Sequence, residues 1–445
     1  MNKEEMKRSC MEEIDKSRID IIDLGQKIYK KPELGYKEFE TSKIIQKTFD
    51  SLGFRTEEKI AYTGVKAFEP KKNGPVVAVI GELDCIACAG HPDSNQDGNV
   101  HACGHNIQLA NLYGCAVGLK RAGVLDALAG NVRFIAIPAE ECVDYDYRNR
   151  LIQERKIEFY GGKQEYLKRG GFDDVDIILQ CHMMDMKSYN KMCTVDTDCN
   201  GFVTKTVVFM GKAAHAGFTP YEGINALQMA ELALNNINAI RETFKDEDKV
   251  RVSSIITKGG ELVNVVPAEV HMQIMVRAFT IDAMIDAGEK VTRAVKAAAL
   301  ALGGKVKIRE KMGYLPMKTN RILSELYRKN MIEYAGANEN SFLEHYETAG
   351  STDLGDISLM KPCMHIWTDG ISGGLHSEEY RISDMEKAYI LPAKMLAATI
   401  IDLLYDDGKE AKRIKDGYTP FFTKESYLKF MKDHSKVEVF DGSTL

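Results

Sequence analysis

The sequence predicts an α/β fold, with a mixed, largely parallel sheet in a main domain and a second, inserted α+β domain. Three apolar runs separated by helical stretches predict buried strands, and they cover Pro75–Asp84, Val132–Glu141 and Val175–Met183. Near-continuous apolar strands that alternate with helices are typical of parallel sheets covered on both faces. From Gly201 the order changes to strand, helix, strand, strand, helix, strand, which is the ferredoxin-like arrangement.

The helices of the main domain follow from local periodicity. About 60 residues at the start predict two helices, the second of which begins near Pro32 and ends at Gly53. Another helix is predicted from about Asn106 to Lys120, between the first two strands. After Tyr314 a strand is predicted in "CMHIWTDG", followed by a helix over Glu386–Leu404.

The inserted domain is predicted element by element from apolar alternation and helical spacing. Its expected strands and helices are Phe202–Lys212, Asn225–Ala239, Val250–Gly260, Ala268–Phe279, Asp282–Leu302 and Lys305–Gly313. The predicted domain boundaries are therefore residues 1–200 and 314–445 for the discontinuous main domain, with residues 201–313 inserted between them.

Composition excludes several classes of protein. The chain has 445 residues, is 44% hydrophobic and carries a net charge of −6, so no basic surface favours nucleic acid. We find no run of about 18 apolar residues, so no membrane span is expected. The charged N-terminal stretch does not resemble a signal peptide. Ten cysteines in a chain of this length favour a reducing, cytoplasmic location over a disulfide framework.

Polar side chains follow the predicted strands of the main domain, where each strand ends. The first strand ends at Asp84, the second at Glu140–Glu141, the third at His182, and the last is followed by a glycine-rich loop with His376. The loop before the next helix adds two more donors, Cys103 and His105. Because ligand sites of parallel sheets lie at the carboxyl ends of the strands, this coincidence predicts a metal site there.

Two other interpretations remain open at this point. In the first, Cys103 is the nucleophile of a cysteine hydrolase and His105 its base, although residues two apart rarely orient for that role. In the second, the protein is a catalytically inactive metal- or ligand-binding protein. A pure binding protein needs only the ligands, so the second carboxylate of the Glu140–Glu141 pair argues against it.

Eight short motifs, in order along the chain, resemble the M20 metallopeptidases. The matching stretches are "ELD" (Glu82–Asp84), "HACGHN" (His101–Asn106), "PAEE" (Pro138–Glu141), "CHM" (Cys181–Met183), "GKAAHAG" (Gly211–Gly217), "NVVPAEV" (Asn264–Val270), "VRAF" (Val276–Phe279) and "LHSEEY" (Leu375–Tyr380). The resemblance is to the amidohydrolase branch with aminoacylases and hippurate and auxin-conjugate hydrolases. "GSTDLGDIS" and the polar C-terminal extension are most similar to the aminobenzoyl-glutamate hydrolase and M20 dipeptidase subgroup.

The resemblance implies a catalytic domain with an inserted ferredoxin-like lid, and two divalent ions per subunit, Zn²⁺ or Mn²⁺. By this resemblance Cys103 bridges the ions, and the further ligands are His105, Glu141, His182 and His376. Glu140 is the implied catalytic base, and Asp84 orients a ligand histidine from behind. The implied substrate-binding residues of the lid are His215, Asn264 and Arg277, with His215 as a donor to the oxyanion.

The expected function is that of a metal-dependent amidohydrolase for small N-acyl amino acids or dipeptide-like substrates, such as aminobenzoyl-glutamate conjugates. The expected partner is a small-molecule amide, with no nucleic acid and no membrane. The resemblance also implies a homodimer through the lid. An inactive binding protein on the same fold is the alternative.

Two stretches depart from the family pattern. The third ligand strand continues as "CHMMD", where relatives often have His-x-His-Pro. The segment Cys85–His105 is long and polar, and His91, Asp93 or Asp97 could reach the site from it. A solvated loop is the interpretation we favour.

Overall fold

The protein is described by a computed structural model that covers residues 1–70 and 72–444. The chain forms two units. The first consists of Met1–Asp198, Lys318–Glu347 and Asp356–Phe421, and the second of Cys199–Met317, Thr348–Gly355 and Phe422–Leu445.

The helices are α1 Lys3–Lys16, α2 Arg18–Tyr29, α3 Phe39–Ser51, α4 His105–Arg121, α5 Val124–Ala127, α6 Tyr145–Gln153, α7 Gly162–Lys168, α8 Ala226–Ala239, α9 Ile281–Ala301, α10 Arg321–Tyr334, α11 Leu354–Ser358, α12 Leu391–Asp416 and α13 Lys424–Asp433. The strands are β1 Arg55–Ile60, β2 Gly64–Phe68, β3 Val76–Glu82, β4 Ile86–Ala87, β5 Asn99–Val100, β6 Asn131–Ile137, β7 Ile177–Met183, β8 Cys193–Thr194, β9 Asp198–Cys199, β10 Gly201–Met210, β11 Arg251–Lys258, β12 Glu269–Ala278, β13 Lys305–Met312, β14 Phe342–Leu343, β15 Glu347–Thr348, β16 Cys363–Thr368, β17 Ile371–Ser372, β18 Arg381–Ile382 and β19 Lys436–Asp441.

The first unit is built on an eight-stranded sheet in the order β1-β2-β6-β3-β7-β16-β8-β14. Its centre is parallel, because β3 pairs in parallel with β6 and β7, and β7 with β16. Antiparallel pairs lie toward the edges, at β1–β2, β2–β6 and β16–β8. The predicted fold class, a mixed and largely parallel sheet, is confirmed.

Helix α4 forms the centre of the core beside this sheet. It is buried from His105 to Leu119, because it packs against β3 and also against α1, α2 and α12. All seven residues of β3 are buried as well. The helix begins at His105, so the buried packing of α4 fixes the position of the Cys103–His105 segment at the end of the sheet.

One helical segment, Glu386–Asp416, is long and apolar enough to cross a membrane by length and composition. In its most apolar window, however, 78% of the residues are buried inside the protein. The apolar side chains of α12 pack into the core of the first unit. The helical geometry is interrupted at Tyr405–Gly408. These features are typical of a core helix.

The second unit has a five-stranded antiparallel sheet in the order β11-β12-β10-β13-β19. Its first four strands and the helices α8 and α9 have the ferredoxin-like connectivity expected for residues 201–313. The unit also includes residues 348–355 and 422–445, which the sequence analysis placed in the main domain. The C-terminal stretch belongs here because its strand β19 pairs with the edge strand β13.

Candidate active site

The site lies at the carboxyl ends of the central strands of the first unit. Asp84 follows β3, Glu140 and Glu141 follow β6, and His182 stands near the end of β7. These three strands are parallel neighbours, so their ends meet at one edge of the sheet. The amino end of α4 brings His105 to the same edge.

Cys103 is the centre of the cluster. Its sulfur lies 3.6 Å from His182 Nε2 and 3.3 Å from His376 Nε2. His376 Nε2 is also 2.8 Å from Glu141 Oε1. Two groups of donor atoms, each within 4.8 Å, share the sulfur; one consists of Cys103, His105 and His182, the other of Cys103, Glu141 and His376. The structure thus brings all five predicted metal ligands together.

This donor set fits divalent metal ions. A thiolate, imidazole nitrogens and a carboxylate are the ligands that Zn²⁺ and related ions accept. Because Cys103 belongs to both groups, its sulfur would help to hold an ion in each of them. Cys103, His105, Glu141 and His182 are buried, whereas the side chain of His376 is half exposed, so the cluster is accessible to water on the side of His376.

The electrostatics of the cluster favour the ionised thiol that metal binding needs. Burial and the Glu141 carboxylate oppose ionisation of Cys103, but His105 and His182 outweigh them and lower its pKa to about 6. Hydrogen bonds to Cys103 and Glu141 raise the pKa of His376 to about 11.

Asp84 supports two of the candidate ligands from behind. Its Oδ1 lies 3.2 Å from His105 Nδ1, and its backbone carbonyl lies 2.8 Å from the same nitrogen. The other carboxylate oxygen, Oδ2, accepts a hydrogen bond of 2.9 Å from the backbone N–H of Glu141. Asp84 therefore lies where the sequence analysis expects a residue that orients the ligand histidine.

The two adjacent glutamates face different partners. Glu141 belongs to the group around Cys103, whereas Glu140 offers an oxygen to a group formed with Glu82 and His105. Glu140 is thus beside the predicted ligands, and outside the two groups that share the sulfur. This division is consistent with one carboxylate that holds a metal and another that exchanges protons with substrate and water.

Glu82 is a site residue that the sequence analysis missed. Its Oε2 lies 3.0 Å from His105 Nε2, and its Oε1 pairs with Lys163 Nζ at 2.5 Å. The amides of Gln108 and Gln180 donate hydrogen bonds of 2.7 and 2.8 Å to the same carboxylate. Burial opposes ionisation, but Lys163 and His105 outweigh it and keep the pKa of Glu82 well below its ordinary value. A charged residue that ends an apolar strand was the available signal, since such a charge needs a partner.

The long segment after Cys85 supports the loop that carries His376. Its ends form the β4–β5 hairpin. His91 is buried and lies 2.9 Å from the Tyr380 carbonyl oxygen and 3.1 Å from Arg381 Nη1. Asp93 accepts a hydrogen bond of 3.0 Å from the hydroxyl of Tyr29. Neither His91 nor Asp93 belongs to a donor group among the described residues.

The unusual third strand is accompanied by a stacked tryptophan. Trp367 on β16 pairs in register with His182 on β7. Their rings stack with centroids 4.4 Å apart and planes inclined by 30°. The indole therefore forms one wall beside the His182 ring and limits its rotation.

In the second unit, His215 and Asn264 are close together. The backbone N–H of Ala216 donates a 3.0 Å hydrogen bond to the Asn264 carbonyl oxygen. His215 Nδ1 accepts hydrogen bonds from the backbone N–H groups of Gly217 and Phe218. Because Nδ1 is engaged in this way, Nε2 is the ring atom of His215 that can meet a ligand from this loop.

Arg277 is at the other end of the same sheet. It pairs in register with Phe202 near the start of β10, whereas His215 follows the end of β10 at Met210. Eight residues of extended strand span roughly 26 Å. Arg277 Nη1 donates a 3.0 Å hydrogen bond to Ser351 Oγ. Within this unit the structure does not bring Arg277 together with His215.

The chain is similar to known proteins in sequence and in fold. The chain is 28% identical over 430 residues to the Xaa-Arg dipeptidase of Mus musculus, covering 90% of this chain and 89% of the relative. It is 25% identical to a p-aminobenzoyl-glutamate hydrolase subunit of Escherichia coli, covering 91% and 93%. A solved structure of a dinuclear metal binding peptidase of the M20 family from Bacillus subtilis has the same fold, with a TM-score of 0.67 at 19% identity, over 88% of this chain and 99% of that chain.

The sequence profile of one family spans most of the protein. Peptidase family M20/M25/M40 matches residues 78–401, a stretch that includes every residue of the metal-ligand cluster. The relatives above are hydrolases of amide or peptide bonds by name. The chain is therefore a hydrolase that belongs to Peptidase family M20/M25/M40.

Proposed function

We propose that the protein cleaves the amide bond of small N-acyl amino acids or dipeptide-like substrates, aminobenzoyl-glutamate conjugates among them, with two divalent ions bound at the Cys103 cluster. The observation that carries this proposal is one thiolate common to two ligand groups, with the Glu140 carboxylate beside them. A site for two ions with an adjacent base is one arrangement that catalyses amide hydrolysis by water.

The residues divide the chemistry between them. Cys103, His105, Glu141, His182 and His376 would hold the ions, which when bound supply Lewis acidity and make hydroxide available near neutral pH. The Glu140 carboxylate takes the proton from the attacking water and delivers it to the leaving amide nitrogen.

The substrate class rests on the relatives and on the second unit. An Xaa-Arg dipeptidase and a p-aminobenzoyl-glutamate hydrolase subunit are among the relatives, and both names describe small substrates with one amide bond and a free carboxylate. We assign His215 and Asn264 to substrate binding and propose Arg277 for the substrate carboxylate, which a guanidinium binds well. Because roughly 26 Å of strand separates His215 from Arg277 within one unit, the two residues would reach one small substrate from different subunits. We further propose a homodimer through the second unit. The ten cysteines, none of them in a disulfide, support a reducing, cytoplasmic location.

A substrate screen tests the proposal. The purified chain, loaded with Mn²⁺ or with Zn²⁺ in parallel, is assayed on aminobenzoyl-glutamate, on dipeptides with and without a β-alanyl residue or a C-terminal arginine, and on N-acyl amino acids. We expect metal-dependent release of the amine product from at least one class, abolished by chelation. Failure of the metal-loaded protein on every class would leave the inactive binding protein as the better description.

A further inference from the structure

The backbone of the turn that carries both glutamates is fixed by contacts on either side of Glu140. The turn follows β6 and contains Ala139, whose φ of 53° is in the left-handed region. Alanine occupies that region at a cost in free energy, so surrounding contacts have to hold it there. Because Ala139 comes directly before Glu140, its conformation sets the directions of both carboxylates.

Four different segments supply those contacts. The Ala139 N–H donates to the side chain of Glu38 at 2.8 Å, and the Ala139 carbonyl accepts from the Gly162 N–H at 3.1 Å. The Glu141 N–H donates to Asp84, and the Glu141 carbonyl accepts from the buried guanidinium of Arg148. Gly162 must be glycine, since a Cβ there would lie 1.5 Å from the Pro138 carbonyl oxygen.

The contact from Glu38 is unexpected because it comes from a buried carboxyl group. Its side chain is fully buried, and its second oxygen accepts a 2.7 Å hydrogen bond from the Thr63 hydroxyl. Burial and the nearby Asp84 raise the pKa of Glu38 to about 8. A buried carboxyl group is costly to keep, and here each of its two oxygens accepts a hydrogen bond, one from the Ala139 N–H of the turn and one from Thr63.

We propose that Glu38 is a positioning residue for the glutamate pair. Its carboxyl oxygen holds the Ala139 N–H and thereby keeps the turn in the left-handed conformation that directs Glu140 and Glu141 to different partners. The hydrogen bonds that the structure gives the Glu38 carboxyl join it to Ala139 and Thr63, and neither residue is a predicted metal ligand. This role rests on the proposed function of the glutamate pair. It makes Glu38, about a hundred positions before Ala139 in the sequence, a residue that orients active-site side chains.

The test compares Glu38 with a nearby carboxylate that has no contact with the turn. Glu33 accepts hydrogen bonds from the backbone of Glu40 and Thr41 at the start of α3, so Glu33→Met is a matched control for Glu38→Met. Glu38→Asp shortens the side chain and so withdraws the carboxyl group from the Ala139 N–H. It replaces Glu38→Met as the test variant if Glu38→Met does not fold. Glu38→Gln keeps an acceptor oxygen for the Ala139 N–H.

Three measurements are made on each purified full-length variant: hydrogen exchange of the Ala139 amide, Zn²⁺ affinity by calorimetry, and kcat. For Glu38→Met and Glu38→Asp we expect about tenfold faster exchange, about tenfold weaker binding at one of two Zn²⁺ sites and at least about a tenfold lower kcat. Glu38→Gln and Glu33→Met should stay within about threefold of the wild type. Adding Ala139→Gly to Glu38→Asp should restore part of the kcat, because glycine adopts the left-handed conformation without strain.

The possible results separate two failures. If Glu38→Asp matches Glu33→Met in exchange and in Zn²⁺ affinity, Glu38 does not position the turn and the inference is wrong. If the metal-loaded wild type turns over no substrate, the proposed function fails, while exchange and Zn²⁺ affinity still decide the role of Glu38.

Discussion

At the scale of single residues, the clearest division is between Glu140 and Glu141. They are neighbours in sequence but join different groups of donors. If Glu140 is the base and Glu141 a ligand, Glu140→Gln should retain both metals and lower turnover at least about 10²-fold. Glu141→Gln should weaken metal at one site.

Metal analysis and steady-state kinetics on both variants check this prediction. The fluorescence of Trp367, the one tryptophan of the chain, gives a second measure of occupancy because its ring stacks on His182. Loss of metal in Glu140→Gln, together with full metal content in Glu141→Gln, would reverse the assignment.

Cys103 permits a direct distinction between a metal ligand and a nucleophile. Its lowered pKa makes the thiolate available near neutral pH, and coordination would occupy the sulfur. Alkylation of Cys103 should therefore be slow in the metal-loaded protein and fast after chelation, as followed by peptide mass spectrometry. Cys115 is fully buried with its pKa raised by burial, so it should stay unmodified in both forms. Equal rates for Cys103 would favour the cysteine hydrolase.

At the scale of elements, the apolar runs and helical spacing of the sequence were enough to predict the main strands and helices. The apolar run Pro75–Asp84 became β3, and the helix expected from Asn106 to Lys120 became α4 at His105–Arg121. The ferredoxin-like order from Gly201 appears in the second unit. The cluster was predictable for a related reason: ends of parallel strands share one edge, so side chains at those ends must meet.

Contacts between distant segments were not predictable from periodicity. Glu82 and Lys163 are 81 positions apart and pair inside the core. No sequence pattern around either residue predicts that the other is its partner. Glu38 meets Ala139 in the same way. Strand β19 consists of only six residues. Its position in the second unit follows from its pairing with β13. Each of these depends on the assembled fold.

One such contact joins two strands and makes a prediction about pH. Asp174 pairs with Lys66 on β2 at 2.5 Å and with Arg133 on β6 at 2.9 Å. Burial opposes ionisation of Asp174, but these two cations outweigh it and hold its pKa below the ordinary 3.8. A lowered pKa means that the unfolded chain binds the proton more readily, so this stabilisation is present above about pH 4 and is lost as the pH falls through the folded-state pKa.

We therefore expect Asp174→Asn to lower the free energy of unfolding by about 1 kcal/mol at pH 7, a modest value because Asp174 is one-third exposed. Urea unfolding from pH 7 to pH 3 measures it. The difference between variant and wild type should shrink below about pH 4. Asp126→Asn, at an exposed position, serves as the control. A difference that stays constant with pH would mean that packing, and not charge, is lost.

At the scale of the whole molecule, the second unit offers a surface for self-association. Strand β11 is an edge of its sheet and pairs only with β12 among the residues that the structure describes. Ile255 on this strand is 60% exposed. The loops of the same unit carry further exposed apolar side chains, namely Phe218, Tyr221, Leu262 and Val263. An open edge with apolar neighbours is suited to pair across a two-fold axis.

If a homodimer forms in this way, we expect His215 to serve the metal cluster of the partner subunit. The motivation is that His215 and the exposed Phe218 and Tyr221 are in one loop of the unit that carries the proposed interface. Complementation tests it. Glu140→Ala and His215→Ala subunits, each nearly inactive alone, are mixed, dissociated and reassociated, and dimer formation is confirmed by native mass spectrometry.

Random pairing makes about half of the dimers mixed. In a mixed dimer the His215→Ala subunit keeps its own Glu140 and would receive His215 from its partner, so one site is complete. Because that is one of two sites in half of the dimers, about a quarter of wild-type activity should return. If His215 serves its own subunit, no site in the mixed dimer is complete and activity stays at the level of the separate variants. If mixed dimers are demonstrated and activity does not return, the shared site is contradicted, and His215 acts only within its own subunit.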